Sequence, residues 1–260
     1  MMQFDRMTLG KKARELGFVR DTFEKVCRLA EVLDFIQKDA LLSKTLALKG
    51  GTAINLTIFN LPRLSVDIDM DLYASLPCAS TKAQNGQSAL AGTGTYCFEV
   101  DPLEIYGSKI VALLNRAAPR DLYDIHTMME YGLFDESQEP MLKKCVMFYS
   151  AIGSDSVPDR FHFEQIASVS QQRVKTDLIP VLRRGTWFDA QQAHEQVIAY
   201  LEKLLTPDER ELSFWTSFGQ QEYRPELLFQ DADILSRIGQ HPMALWKCSD
   251  RQNKPAAETD

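Results

Sequence analysis

Apolar positions recur at spacings of three and four through DTFEKVCRLAEVLDFIQKD, at Phe23, Val26, Leu29, Val32, Leu33 and Ile36. That period belongs to one buried face of a helix, and the pattern predicts helix over residues 13–43. Asp21, with Glu24 three residues on, has capping-box spacing and is the expected N-cap. TLALK (45–49) is a short apolar run stopped by Gly50-Gly51 and predicts a strand. TAINLTIF suits a short helix with Thr52 near its start. Pro62 then interrupts the chain before RLSVDIDMDLY (63–73), a second predicted strand. Within it an acid stands at every other position, so Asp67, Asp69 and Asp71 are expected on one face. Such a face is not an ordinary core face and calls for a positive partner.

The pattern then lapses. ASLPCASTKAQNGQSALAGTGTY (74–96) is small, polar and aperiodic and reads as a loop, followed by CFEV as a brief strand. From DPLEIYGSKIVALLNRAAPRDLYDIHTMMEYGL onward the chain turns helical, with Leu103, Ile110, Leu113 and Leu114 on one face. Pro119 suits the first turn of a following helix, where its missing N–H costs nothing. Further helices are separated by SDSVPDR, GTWFDA and YRPE, and the end of the chain is polar. The predicted class is α+β, a small mixed-sheet core followed by a helical domain. The divisions are N-terminal helices at 1–44, the core at 45–130 with its loop 74–96, helices at 131–247 and a tail at 248–260.

Composition narrows the function. The 260 residues carry 29 Lys and Arg against 36 Asp and Glu, a net charge of -7. That argues against tight, indiscriminate nucleic-acid binding over the whole surface, while leaving room for a local basic cleft. The five cysteines form no CxxC pair and the four histidines no HExxH, which argues against structural zinc. The charged N-terminus resembles no secretory signal and no apolar run is long enough for a bilayer, so a cytoplasmic protein without membrane contact is the expectation.

Asp67 and Asp69 offer the hard oxygen donors of a Mg²⁺ site, which substrate phosphates commonly complete. A solvated sheet edge would carry the same pair without chemistry. Upstream, Lys49, Gly50, Gly51 and Thr52 end a strand and begin a helix. Glycines there admit a phosphate close to the backbone, and the helix start offers unpaired N–H groups. A tight turn alone would explain the glycines, but the acidic strand that follows makes the combination harder to dismiss. Ser65 shares the face of Asp67. Lys109 and Arg116 fall on one helical face, as a solvated basic stripe also would. Asp121 and Asp124 stand in the first turn after Pro119, where the helix dipole alone would favour them. His126 and Trp246 are expected to pack rather than react.

LKGGTAINL, LPRLSVDIDMDL and DPLEIYGSKIVALLNRAAPRDLYDI together resemble the AbiEii/AbiGii-type nucleotidyltransferase toxins, within the polymerase-beta-like nucleotidyltransferase superfamily. The resemblance implies an α/β catalytic core, Mg²⁺, a nucleoside triphosphate, an acceptor such as tRNA, and a cognate antitoxin as partner. By motif, Gly50, Gly51, Thr52 and Ser65 would hold the triphosphate with Lys49 and Arg116, and Asp67 and Asp69 the metal. Lys109 would neutralise phosphate, with Asp121 or Asp124 at the late acidic position. The chain departs from the family in the short region between the acidic strand and DPLEI, where members carry more core strands and a further acid. A shortened, catalytically inactive member acting as a binding module is therefore the alternative. A metal phosphohydrolase fits less well, since no histidine falls near the acid pair.

Overall fold

The computed structural model of the protein describes residues 5–59, 61–72 and 100–249. The loop expected at 74–96, most of CFEV and nearly all of the polar tail lie outside the described residues.

The helix expected over 13–43 is three helices. α1 (Arg6–Leu16) stops at Gly17, whose left-handed φ of 80° lets its N–H reach the carbonyls of Ala13 and Arg14. Glycine takes that conformation without a Cβ clash. α2 (Arg20–Lys38) starts from Val19 without a side-chain cap. Asp21 is therefore not the N-cap; it sits inside the first turn, paired with Arg20, where the dipole still favours a carboxylate. Phe23, Val26 and Leu33 are buried together with Cys27, while Val32 is 48% exposed. The buried stripe is thus turned from the predicted one towards Cys27, four residues after Phe23. α3 (Leu42–Thr45) leads into the sheet.

β1 (Leu46–Lys49) feeds directly into α4 (Gly50–Ala53), which runs on through a π-helical turn at Ile54–Ile58. β2 (Asp69–Leu72) pairs antiparallel with β1, Lys49 opposite Asp69 and Leu46 opposite Leu72. β2 is shorter than the strand predicted over 63–73. Its leading residues find other partners: Arg63 bridges Leu182, and the Leu64 N–H donates to the Val181 carbonyl. Backbone groups inside a protein must be paired, and here the distant segment at Val181 and Leu182 supplies the pairing. Val100 donates its N–H to Leu48 on the other side of β1. Among the described residues the sheet is this antiparallel pair and not a mixed one, within an α+β protein that is mostly helical.

α5 (Pro102–Arg116) is capped by Asp101, which accepts from the Leu103 N–H, and buries Ile105, Tyr106, Ile110 and Leu113. It lies so close to α7 (Glu139–Gly153) that a Cβ at Gly107 would stand 2.6 Å from the Cβ of Cys145. Ala117 closes α5, and Pro119 opens α6 (Pro119–Glu130) as expected. α8 (Gln171–Arg173) continues into a π-helical turn at Val174–Leu178. α9 (Ala190–Leu204), α10 (Glu209–Gly219), α11 (Ala232–Ile238) and α12 (Pro242–Cys248) complete the described chain.

Two apolar cores result. The larger gathers α1, α2, the sheet, α5, α6 and α9; the smaller gathers Phe148, Phe214, Trp215 and Phe229 with α11 and α12. α7 serves both, giving Leu142 and Val146 to the first and Met147 and Phe148 to the second. His126 packs edge-on to Phe188 as anticipated, whereas Trp246 remains 49% exposed. No helix among the described residues is long and apolar enough to cross a membrane.

Candidate functional site

The turn from β1 into α4 has no room for side chains. Gly50 has a φ of 70°, and a Cβ there would lie 2.2 Å from Oδ2 of Asp69. A Cβ at Gly51 would lie 2.9 Å from both Ser65 Oγ and Arg63 Nη2. The two glycines therefore let the acidic segment lie against the turn. Three hydrogen bonds hold it there. The Thr52 hydroxyl donates to the Asp67 carbonyl, the Asn55 amide donates to the Gly51 carbonyl (2.6 Å), and the Arg63 N–H donates to Asn55 Oδ1 (3.2 Å).

A cleft of about 360 Å³ opens beside this turn. Of the residues expected from sequence, Gly51, Ser65, Asp67, Asp69, Lys109, Arg116 and Asp121 line it. Arg63, Arg120 and Asp177 line it too. Four expected residues do not. Gly50 and the buried Thr52 stand behind the wall and shape it. Lys49 pairs with Asp71 at 2.7 Å. That gives one of the three strand acids a lysine partner and leaves the exposed Asp67 and Asp69 facing the cleft. Asp124 is buried beneath the floor.

The floor is a charge network. Asp124 receives Arg63 through two bonds, Nε to Oδ1 at 2.7 Å and Nη2 to Oδ2 at 2.6 Å, and lies 3.1 Å from Lys109 Nζ. Asp121 receives Lys109 at 3.0 Å and Arg116 at 2.7 and 3.1 Å. Burial works against a charged Asp124, but Arg63 and then Lys109 outweigh it and hold the carboxyl below its ordinary range. Arg116 is held more basic than usual by its hydrogen bond to Asp121. Lys109 thus spans Asp121 and Asp124 while still lining the cleft.

Arg63 was not among the expected site residues, yet a signal existed. It shares the alternation of Ser65, Asp67 and Asp69, as the only cation in that series. Arg120 follows Arg116 by four residues and stands beside Asp121, but Pro119 interrupts that helical row, and Asp177 carried no comparable signal. Their meeting, Arg120 Nε donating to the Asp177 carbonyl at 2.8 Å, is 57 residues long-range.

Two exposed carboxylates thus face two cations that are themselves fixed by buried acids. This suits an anion carrying its own hard cation. Among the described residues no group of three or more His, Cys, Asp or Glu could hold a metal. The protein offers two carboxylate groups, which is the donor set Mg²⁺ accepts when substrate phosphates and water supply the rest.

A family model described as "Nucleotidyl transferase AbiEii toxin, Type IV TA system" matches residues 34–91 and 100–206, a span that contains every cleft residue named above. No curated protein and no solved structure matches the chain.

Proposed function

The chain belongs to the AbiEii nucleotidyl transferase toxins of type IV toxin–antitoxin systems, and we propose that it transfers a nucleotide from a nucleoside triphosphate to a tRNA acceptor in the cleft of Gly51, Ser65, Asp67, Asp69 and Lys109. It would act in the cytoplasm, held in check by a cognate antitoxin. The observation that carries this reading is the juxtaposition across one cleft of Asp67 and Asp69 with Lys109 and Arg116.

Asp67 and Asp69 would hold Mg²⁺, which when bound offsets charge on the triphosphate and on the pyrophosphate that leaves. Gly51 lets the triphosphate approach the backbone, and the Ser65 hydroxyl can donate to a phosphate oxygen. Lys109 and Arg116 lie where phosphate charge would accumulate. Their bonds to Asp121 and Asp124 fix them before substrate arrives, so little reorganisation is needed as charge shifts. An acceptor hydroxyl then attacks the α-phosphorus. A new P–O bond forms as the hydroxyl proton passes to water, the bond to the bridging oxygen breaks, and pyrophosphate carries away the electron pair. The work of the protein is positioning and charge neutralisation, with no covalent intermediate required.

Titration calorimetry of the four common nucleoside triphosphates, with Mg²⁺ and then with EDTA, tests the reading. We expect metal-dependent heat for at least one nucleotide, and its loss in Asp67→Ala. No heat for any nucleotide from folded protein would instead favour the inactive binding module.

A further inference from the structure

A second concavity, of about 780 Å³, lies between α1, the start of α2 and Arg184. Its lining includes Arg6, Lys11, Arg14 and Arg184, all exposed. None of these four side chains makes an ion pair among the described residues. Two acids share the lining: Asp5, which caps α1 by accepting from the Thr8 N–H, and Asp21, which is paired with Arg20. The five cations of the lining, Arg20 included, outnumber its two acids, a net positive groove in a chain of net charge -7. Three residues past Arg184, beyond a turn in which the Thr186 N–H donates to the Arg183 carbonyl, stands Trp187, 85% exposed. Packing gives no reason for so large an indole to stand in water this close in sequence to the groove.

The groove is tied to the cleft by a single stretch of chain. Asp177 lines the cleft and Arg184 lines the groove, seven residues on. Those residues span at most about 25 Å even if fully extended. In between, Val181 and Leu182 are bonded to Leu64 and Arg63, and the Arg184 N–H donates to the Gly17 carbonyl at 2.6 Å. Groove and cleft are thus held by the same rigid strip.

We propose that this groove binds the sugar-phosphate backbone of the acceptor RNA and leads its end to the cleft, with Trp187 stacking on a base. Unpaired cations read phosphates without regard to sequence, and an exposed aromatic takes any base by its face. The concave form suits a strand better than a flat lipid surface. The proposal rests on the nucleotidyl-transfer reading with RNA as acceptor, but it is a claim about binding and is tested without nucleotide.

The test is fluorescence anisotropy of a labelled tRNA transcript with the full chain, from 50 to 200 mM salt. Wild type is expected to bind and to weaken steeply with salt. Replacing Lys11, Arg14 and Arg184 together by Ala should flatten the slope of log K against log salt by about 2, at about 0.7 per single-strand phosphate contact. Trp187→Ala should weaken binding roughly fivefold or more with the slope unchanged. Asp67→Ala should keep RNA binding while losing nucleotide heat, which separates failure of the groove from failure of the cleft. All substitutions are at exposed positions, and melting curves like wild type confirm folding; Arg184→Glu alone should still weaken binding. Wild-type affinity and slope in the triple variant, or no tRNA binding by wild type at 50 mM salt, would each overturn the proposal.

Discussion

Arg63 and Asp124, 61 residues apart in the chain, meet as a two-pronged ion pair with side chains only 2% and 1% exposed. Neither charge has water to fall back on, so each depends on the other. Asp124→Ala should cost about 3–5 kcal/mol in urea denaturation, because it strands a buried guanidinium. The double variant Arg63→Met/Asp124→Leu should recover much of that stability, since apolar replacements of a buried pair are often neutral. It should not recover nucleotide binding, because Lys109 loses one of its two anchors.

Gly50→Ala combines a left-handed backbone with a direct collision against Asp69. The backbone alone should cost about 1–2 kcal/mol. The displaced carboxylate should cost more in function than in stability. Calorimetry should show weakened, metal-dependent nucleotide binding while circular dichroism remains that of the folded protein. Unchanged binding would mean that Asp69 has no part in the site.

Thr52→Val keeps the shape of the side chain and removes the hydroxyl that donates to the Asp67 carbonyl. A single buried hydrogen bond of this kind contributes about 1 kcal/mol. The stability loss should be near that figure, with reduced metal-dependent nucleotide affinity because Asp67 is no longer held at the turn. A valine variant that binds nucleotide as wild type does would show the strand to be held without it.

Two histidines make stability depend on pH in a definite direction. Burial lowers His194, whose Nε2 has no hydrogen-bond partner among the described residues. Burial also lowers His241, with Asp71 opposing and Lys49 reinforcing. The unfolded chain then binds protons more readily than the folded one. Stability is full above the unfolded value of about 6.5 and declines as pH falls below it. Asp124 adds a later loss: its carboxyl is held low, so its contribution persists above about 3.9 and disappears as pH drops through its folded value. Urea midpoints at pH 7.5 and 5.5 should differ in wild type and differ less in His194→Phe.

Local patterns carried much of the fold. The run TLALK followed by two glycines announced strand and helix, and Pro119 announced a helix start, because each rests on conformations its own residues dictate. The acid alternation likewise placed Asp67 and Asp69 on the cleft face. What did not show was set by distant partners. Arg63 reads as one cation beside a proline until Asp124 arrives from α6. The strand predicted from Arg63 was cut short because Val181 and Leu182 took its hydrogen bonds. The left-handed stop at Gly17 and the start of α2 at Val19 depend on the docking of the two helices, so Asp21 had the right spacing and the wrong position. Lys49 and Asp71 alternate correctly with the site residues, and only the strand register shows that they satisfy each other.

The pairing of Arg63 with Leu182 also sets a clock on synthesis. A ribosome must have added Leu182 before the segment carrying Arg63 and Ser65 can take its final partner, and at about 5–20 residues per second that is roughly 6–24 s after Arg63 itself is added. The glycine turn with Asp67 and Asp69 leaves the exit tunnel long before. A nascent chain truncated ahead of Leu182 therefore holds the motif residues without the strip that fixes their floor, and only a chain that includes Leu182 possesses an assembled cleft.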